Sequence, residues 1–226
     1  MSISVVQAVQ INGTSGNFNS AVTALNTIIL VVVQYTGSGD TMTTSSPQYN
    51  GSTPAGSSLL IASQSPSGEG QNDLVYCGIW CLPHVPGGGT AVQATFSDTG
   101  LGILALEVAG LGSSPQLDPG GGTSTGSGLQ TVGSSTGLTP AITQSPELVV
   151  GAALGYAVDQ NGVGSPWTEY TPGNSFVTCG YQIVASSGNQ YRYNPTANSS
   201  GNWASCIATI CAKPAAKSSL LMALLP

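Results

Sequence analysis

Charge is what this sequence has least of. Of its 226 residues three are Lys or Arg, nine are Asp or Glu and one is His, so 5% of the chain is charged, against roughly 25% in ordinary soluble domains. The cations are Arg192, Lys213 and Lys217. Neutralising a phosphate backbone takes several clustered Lys or Arg, so no nucleic acid is expected as a partner. With His84 the sole histidine, a Ser-His-Asp mechanism has one candidate base and no more. There is no G-x-x-x-x-G-K-[ST] phosphate loop and no G-x-G-x-x-G following a strand, so no nucleotide cofactor is expected. The longest apolar stretch, Ile28 to Val33, is too short to cross a bilayer, and no membrane span is expected. The opening residues MSISVVQAVQINGTSG lack the basic and apolar regions of a secretory signal, so the expectation is a chain that stays inside the cell that makes it, leaves by lysis, or has had a signal removed.

What is present is turn punctuation combined with apolar residues: 31 Gly and 14 Pro beside 40% hydrophobic residues. That hydrophobic share distinguishes the chain from a disordered one, and a chain of this length hides roughly 70% of its extended surface on folding. Short apolar runs separated by Gly, Pro, Asn and Ser predict an all-β fold. The candidate strands are Ser4 to Ile11, Thr27 to Tyr35, Ser58 to Ala62, Leu74 to Leu82, Ala91 to Phe96, Leu101 to Val108, Leu148 to Tyr156, Phe176 to Val184, Gln190 to Tyr193 and Trp203 to Ala212. About ten strands exceed one comfortable sheet, so the expected closure is a two-sheet antiparallel sandwich, jelly-roll-like. Ile28 to Val33 and Trp203 to Ala212 are apolar on both parities, as in central strands covered on each side or strands that meet another subunit. Asn12-Gly13, Asn50-Gly51 and Asn161-Gly162 supply positive-φ turn positions.

Residues 1–212 read as one sandwich domain. The tract Gly112 to Gly137 (GSSPQLDPGGGTSTGSGLQTVGSSTG) reads as a long surface loop rather than an interdomain linker, because neither half alone shows a complete strand set. Asn26-Thr-Ile-Ile-Leu-Val-Val-Val is echoed by Ser145-Pro-Glu-Leu-Val-Val-Gly-Ala, the pattern that two equivalent core strands of a doubled jelly roll would leave. Cys77, Cys81, Cys179, Cys206 and Cys211 all lie in apolar strand-like runs and read as reduced, buried small hydrophobes.

The residues offer little for catalysis. Gly133-Ser-Ser135-Thr-Gly137 matches G-x-S-x-G, but that elbow must join a strand to a helix, and Leu138-Thr-Pro140 follows it here. Cys77-x3-Cys81-x2-His84 offers three soft ligands with no fourth, and two Cys four apart on one strand are about 13 Å apart. No metal and no other cofactor is therefore expected. Glu107, Glu147, Asp159 and Glu169 read as solvated or loop groups rather than a spaced carboxylate pair. Among the aromatics of the C-terminal third, Trp167, Tyr170 and Tyr191 are the candidate glycan contacts, since sugar stacking needs ring faces beside hydrogen-bonding neighbours.

The order of motifs carries a resemblance. An opening I-S-V-V-Q strand, the N-T-I-I-L-V-V-V run, a strand with Ile79-Trp80, A-V-Q-A-T-F, a Gly/Ser/Thr-rich passage, P-E-L-V-V-G-A, Pro166-Trp-Thr, and a closing G-N-W-A-S-C-I-A-T-I before Lys213-Pro214 resemble β-sandwich modules of bacteriophage structural proteins and of some bacterial surface proteins. The resemblance implies a non-enzymatic virion protein assembled in the host cytoplasm, an exposed capsid decoration or minor tail component partnered by copies of itself and other virion structural proteins. The alternative is a carbohydrate-binding or adhesin module of a cell surface or extracellular appendage, with host glycans as partners. The tail, residues 213–226, adds a candidate docking arm. Pro214 stops the preceding strand, Lys217, Ser218 and Ser219 form a polar hinge, and Leu220, Leu221, Met222, Leu224 and Leu225 present large apolar groups on a segment too short for a stable lone helix. Its destination is either a neighbouring subunit or the underlying shell, or else an open edge or apolar patch of its own sandwich.

Overall fold

The computed structural model describes residues 2–36, 47–65, 74–96, 99–131, 134–156 and 160–212. Among these the regular structure is all β, in sixteen strands. The first half carries β1 (Ser4–Asn12), β2 (Ser15–Asn17), β3 (Thr27–Thr36), β4 (Gln48–Tyr49), β5 (Ser58–Gln64), β6 (Leu74–Leu82), β7 (Ala91–Gln93) and β8 (Thr99–Ala109). The second carries β9 (Pro115–Leu117), β10 (Thr123–Thr131), β11 (Glu147–Gly155), β12 (Gln160–Asn161), β13 (Thr168–Tyr170), β14 (Val177–Val184), β15 (Thr196–Ala197) and β16 (Gly201–Ala212).

Two antiparallel sheets stack face to face, with strand orders β1-β8-β3-β6-β5 and β10-β16-β11-β14-β13, the short β9 pairing with the end of β16. Inward side chains of both sheets, such as Ile29, Val31 and Leu106 from one and Leu148, Val150 and Ile210 from the other, merge into a single core. Period-2 alternation delivers one face of each strand to that core. The expected two-sheet closure is therefore present, but its winding is segregated. The chain completes one sheet before starting the other, whereas a jelly roll passes back and forth between its sheets.

The two halves also share one topology. In each, the first long strand pairs with the last, the last with the second, and the second with the fourth, which pairs in turn with the third. The sequence echo falls on β3 and β11, the central strands, and the registers agree. Ile29 stands between Cys81 and Leu106, and Leu148 between Ile183 and Ile210. Four residues further on, Val33 faces Cys77 and Ala152 faces Cys179. This superposes Val75-Tyr-Cys77-Gly78 of β6 on Val177-Thr-Cys179-Gly180 of β14.

Both outer faces are covered by the chain itself. Ile28, Leu30, Val32, Trp80 and Ile103 of the first sheet pack beneath Phe18, Val22, Tyr49 and Val92, which belong to the small sheet β2-β7-β4 and its flanking loops. Val149, Ala153 and Ile207 of the second lie beneath Ile142 and Tyr193. This accounts for β3 and β16 being apolar on both parities, and selects the first of the two alternatives for such strands. A buried Val, Leu or Ile side chain contributes roughly 1.5–3 kcal/mol, so strands used on both faces anchor the molecule.

Three expectations need correction. The tract 112–137 is not loop throughout, because it contains β9 and β10. The polar, Gly-rich β10 is an edge strand whose ladder with β16 runs from Thr123 opposite Ala208 to Thr131 opposite Gly201. Pairing with a preformed neighbour overrides its poor intrinsic propensity. Gln190 to Tyr193 is extended but forms no regular ladder. The amides of Thr136 and Thr139 donate to the carbonyls of Tyr193 and Tyr191, while the amides of Tyr193 and Tyr191 are taken by the Thr136 and Thr139 hydroxyls. Lastly, the Asn161-Gly162 turn is displaced. Gly13 (φ +108°), Asn50 (+48°) and Gly51 (+75°) adopt the expected positive φ, but the nearby left-handed residue is Gly164 (+79°).

Candidate functional site

The three aromatic glycan candidates divide between two faces. Residues 167 and 169 share one parity of β13 and its lead-in, and residue 170 has the other. Tyr170 accordingly packs on the inter-sheet core, its ring nearly parallel to that of Tyr181, at 18° and 6.4 Å between centroids. Trp167 and Tyr191 both lie against the outer cluster of the second sheet. Trp167 meets the Tyr193 ring edge-on, with centroids 4.8 Å apart.

Tyr193, which sequence reasoning did not single out, organises that outer face. It is fully buried, and its ring lies on the bare backbone of Gly151, where a Cβ would come within 2.4 Å of it. Its hydroxyl donates to Glu169 Oε1 at 3.1 Å and lies 2.8 Å from Thr178 Oγ1. Burial pushes the phenol pKa well above its ordinary value, so this group holds structure rather than transferring protons near neutral pH. Glu169 also accepts the amides of Val163 (2.6 Å) and Gly164 (2.8 Å). The available signal was Gly151 itself, a bare position in an otherwise apolar central strand that invites a ring from outside.

The other described acids are likewise turned inward. Glu107, wholly buried on β8, accepts the Thr23 amide (2.8 Å), Asn26 Nδ2 (2.6 Å) and Gln7 Nε2 (2.6 Å). Burial raises its pKa, but these donors outweigh it and leave the carboxyl below its usual value. Asp118 does the same for the loop before β11, accepting the amides of Gly120, Thr143 and Gln144. Burial opposes its ionisation, and hydrogen bonds from Glu147, Thr143 and Gly120 bring the net shift below the ordinary value. At Glu147 no hydrogen bond of normal geometry reaches either carboxyl oxygen. Burial first and Asp118 second push its pKa up to about 8, which the nearby Thr209 hydroxyl and Gln144 amide only partly offset. Keeping the proton on Glu147 relieves the repulsion between the two carboxyls.

All five cysteines are buried and unbridged. Cys77 and Cys81 face the inter-sheet core, whereas His84 is exposed in the loop that follows, at φ +49°, so the three do not converge. The Ser135 hydroxyl donates to the Thr136 carbonyl, in a loop rather than at a strand-to-helix elbow. The docking residues Leu220, Leu221, Met222, Leu224 and Leu225 lie outside the described residues.

One surface concavity is built wholly from neutral groups. A groove of about 250 Å³ crosses the small sheet β2-β7-β4, lined by Ser15, Gly16, Asn17, Gln48, Gly51, Ala91, Val92 and Gln93. Ser15 and Gln48 stand opposite Gln93 from either side, and Asn17 stands opposite Ala91. Val92 and Tyr49 point down into the core, so strand alternation puts Ser15, Asn17, Gln48, Ala91 and Gln93 together on the outer face. Periodicity registered β7 within the candidate strand Ala91 to Phe96, but the two- and three-residue strands β4 and β2 beside it have too few apolar positions to register. No protein-family model, no curated protein and no solved structure matches this chain.

Proposed function

We propose that this chain is a non-enzymatic structural protein of a phage-type virion, an exposed capsid decoration or minor tail component packed against copies of itself and the major shell or tube protein. One observation carries the reading. Each of the four described acids, Glu107, Asp118, Glu147 and Glu169, is spent inside the molecule on a loop or on another carboxyl. The described surface is accordingly poor in charge, with Arg192 exposed and Glu169 half-buried, while Asp40, Glu69, Asp73, Asp98, Asp159, Lys213 and Lys217 lie outside the described residues. Such a surface carries little long-range repulsion between copies and suits dense packing in a shell or tube. Covering both outer sheet faces with the chain's own segments fits a module that must persist while displayed. Mass spectrometry of purified particles from producing cells tests the proposal. The chain should be present at fixed stoichiometry to the major shell or tube protein, and its absence from particles while abundant in the lysate would overturn it.

The groove on β2-β7-β4 favours a second reading, a carbohydrate-binding or adhesin module of a cell surface or appendage. A chain found on cells or appendages, with none in particles, would support that reading over the first.

A further inference from the structure

We infer that the groove across β2-β7-β4 is a binding site for a neutral saccharide unit. This goes beyond the structural role proposed above and deepens the adhesin alternative, yet it depends on neither, because the groove belongs to the isolated chain.

The lining decides the chemical class. The groove presents two primary amides (Gln48 and Gln93), a third amide on Asn17 and the hydroxyl of Ser15, with no charged side chain among its lining residues. Neutral amides donate and accept at once, which matches a ring of hydroxyls that also do both. An anion would want Arg, Lys or a convergent set of amides, and a cation would want carboxylates. An extended apolar peptide would want pockets for alternate side chains, whereas here Gly16, Gly51 and Ala91 leave a flat floor.

The groups are also free to bind. Asn17 Oδ1 accepts from Thr90 Oγ1 at 3.1 Å, which takes up the amide oxygen and leaves the two N–H donors out of that bond. Among the described residues, Gln48, Gln93 and Ser15 have no side-chain hydrogen-bond partner. They form a row on three adjacent strands, Ser15 opposite Gln93 and Gln93 opposite Gln48, at the interstrand spacing of about 5 Å. That spacing approximates the separation of hydroxyls across one sugar ring.

The floor is held rigid from below. Gly16 sits so close over Ile11 that a Cβ would come within 2.8 Å of the Ile11 side chain. At the far wall, Asn50 at φ +48° accepts the Ala91 amide at 3.1 Å and donates its own amide to the Ala91 carbonyl at 3.0 Å. Tyr49 beneath is pinned through its hydroxyl to Gly89, donating to the carbonyl at 2.9 Å and accepting the amide at 3.0 Å. A preorganised floor spares a weak ligand the cost of ordering the loop. No exposed aromatic platform lines the groove, so affinity for a single unit is expected in the millimolar range.

The test is a titration of the ¹⁵N-labelled full chain with glucose, galactose, mannose, N-acetylglucosamine, maltose and lactose, followed by NMR of side-chain and backbone amides. At least one sugar should move the Gln48 and Gln93 side-chain resonances together with the Gly16 and Ala91 amides, saturating in the millimolar range. Gln93→Ala should weaken that sugar about tenfold, and Gln93→Glu should weaken it while leaving the remaining spectrum unchanged, which separates lost binding from lost folding. No shift at these residues with any of the six sugars overturns the assignment. So does binding that survives Gln93→Ala but is lost in Trp167→Ala, which would move the site to the aromatic face, and so does stronger binding of sulfate than of any neutral sugar. Absence of the chain from particles would leave the sugar result standing, and absence of sugar binding would leave the particle result standing.

Discussion

Cys77 and Cys179 hold the same position in the two halves of the chain and meet at the centre of the inter-sheet core. Each follows a Val by two residues and precedes a Gly. Burial first, and the neighbouring Cys77 second, raise the Cys179 thiol well above its ordinary pKa. Cys206 joins them from β16, shifted the same way by burial and by its hydrogen bond with Cys77. Three thiols from both sheets therefore fill one shared interior site as small apolar groups.

Unreactive thiols are the direct consequence, since the thiolate is the attacking species, Cys179 and Cys206 resist forming it, and Cys77 is buried out of reach of solvent. Burial also carries Cys81 to about 12 and, reinforced by Glu147, Cys211 to about 11. Thiol titration at pH 8 should find essentially no reactive group in the folded chain and all five after denaturation. Two disulfides in freshly prepared protein would contradict this arrangement and shift weight toward a secreted adhesin.

A second prediction concerns pH. Glu147 titrates near 4.5 when exposed and at about 8 in the folded chain, so the folded state holds its proton more tightly across that window. Stability must then fall as pH rises from about 4.5 through 8, by roughly 2–5 kcal/mol in all. Asp118 and Glu107 have the opposite sign. Their folded pKa values are lowered, so their contribution is lost only as pH drops below the ordinary carboxylate range. Stability should peak in mild acid. Melting temperatures from pH 5 to 7.5, below the range in which unfolded thiols ionise, should decline in the parent and stay nearly level in Glu147→Gln, whose amide can donate to Asp118 without titrating. Parallel slopes in the two proteins would sink the assignment.

The long strands and the doubled architecture were legible because both rest on apolar periodicity. Every strand of eight or more residues except β10 was foreseen, and the echo between Asn26–Val33 and Ser145–Ala152 correctly marked β3 and β11 as counterparts. What escaped were features set by a partner rather than by local sequence. The tract around Ser124 and Gly126 becomes a strand only because β16 offers it a ladder. Trp167 and Tyr170, three residues apart, fall on opposite faces once β13 is extended. Of the acids read as solvated or loop groups after the general exposure of acids, Glu107 and Glu147 are instead wholly buried, because loop amides converge on Glu107 and on Asp118 beside Glu147. Half-buried Glu169 does serve a loop, accepting the amides of Val163 and Gly164, and Asp159 lies outside the described residues.

The seat of Tyr193 on Gly151 gives a third prediction. Gly151→Ala places a methyl where the ring lies, 2.4 Å from its nearest atom, and the cover must lift or the strand must shift. The expected cost is about 1–3 kcal/mol, read as a lowered denaturation midpoint with unchanged slope. Because the cost arises from one contact, it should shrink markedly in a Tyr193→Ala background. Equal costs in both backgrounds would mean that the ring does not rest on this glycine.

The last prediction tests the tail, residues 213–226. Leu220, Leu221, Met222, Leu224 and Leu225 would each contribute about 1.5–3 kcal/mol on burial before the cost of ordering the segment. Exposed in water they would form an aggregation-prone patch, so a partner surface is required. Both outer faces of the sandwich are already covered, by Phe18, Val22, Tyr49 and Val92 on one side and by Ile142 and Tyr193 on the other. Intramolecular docking on either sheet face would have to compete with those residues, which leaves an open edge strand such as β5 or β10 as the destination within the sandwich, beside a neighbouring subunit or the underlying shell. Truncation after Lys213 separates the destinations. An intersubunit arm predicts a chain that melts within a few degrees of the parent but no longer self-associates or binds particles, as read by sedimentation and co-pelleting. A chain that assembles as before but melts far lower would show that the tail folds back on its own sandwich, and the docking-arm assignment would have to be withdrawn.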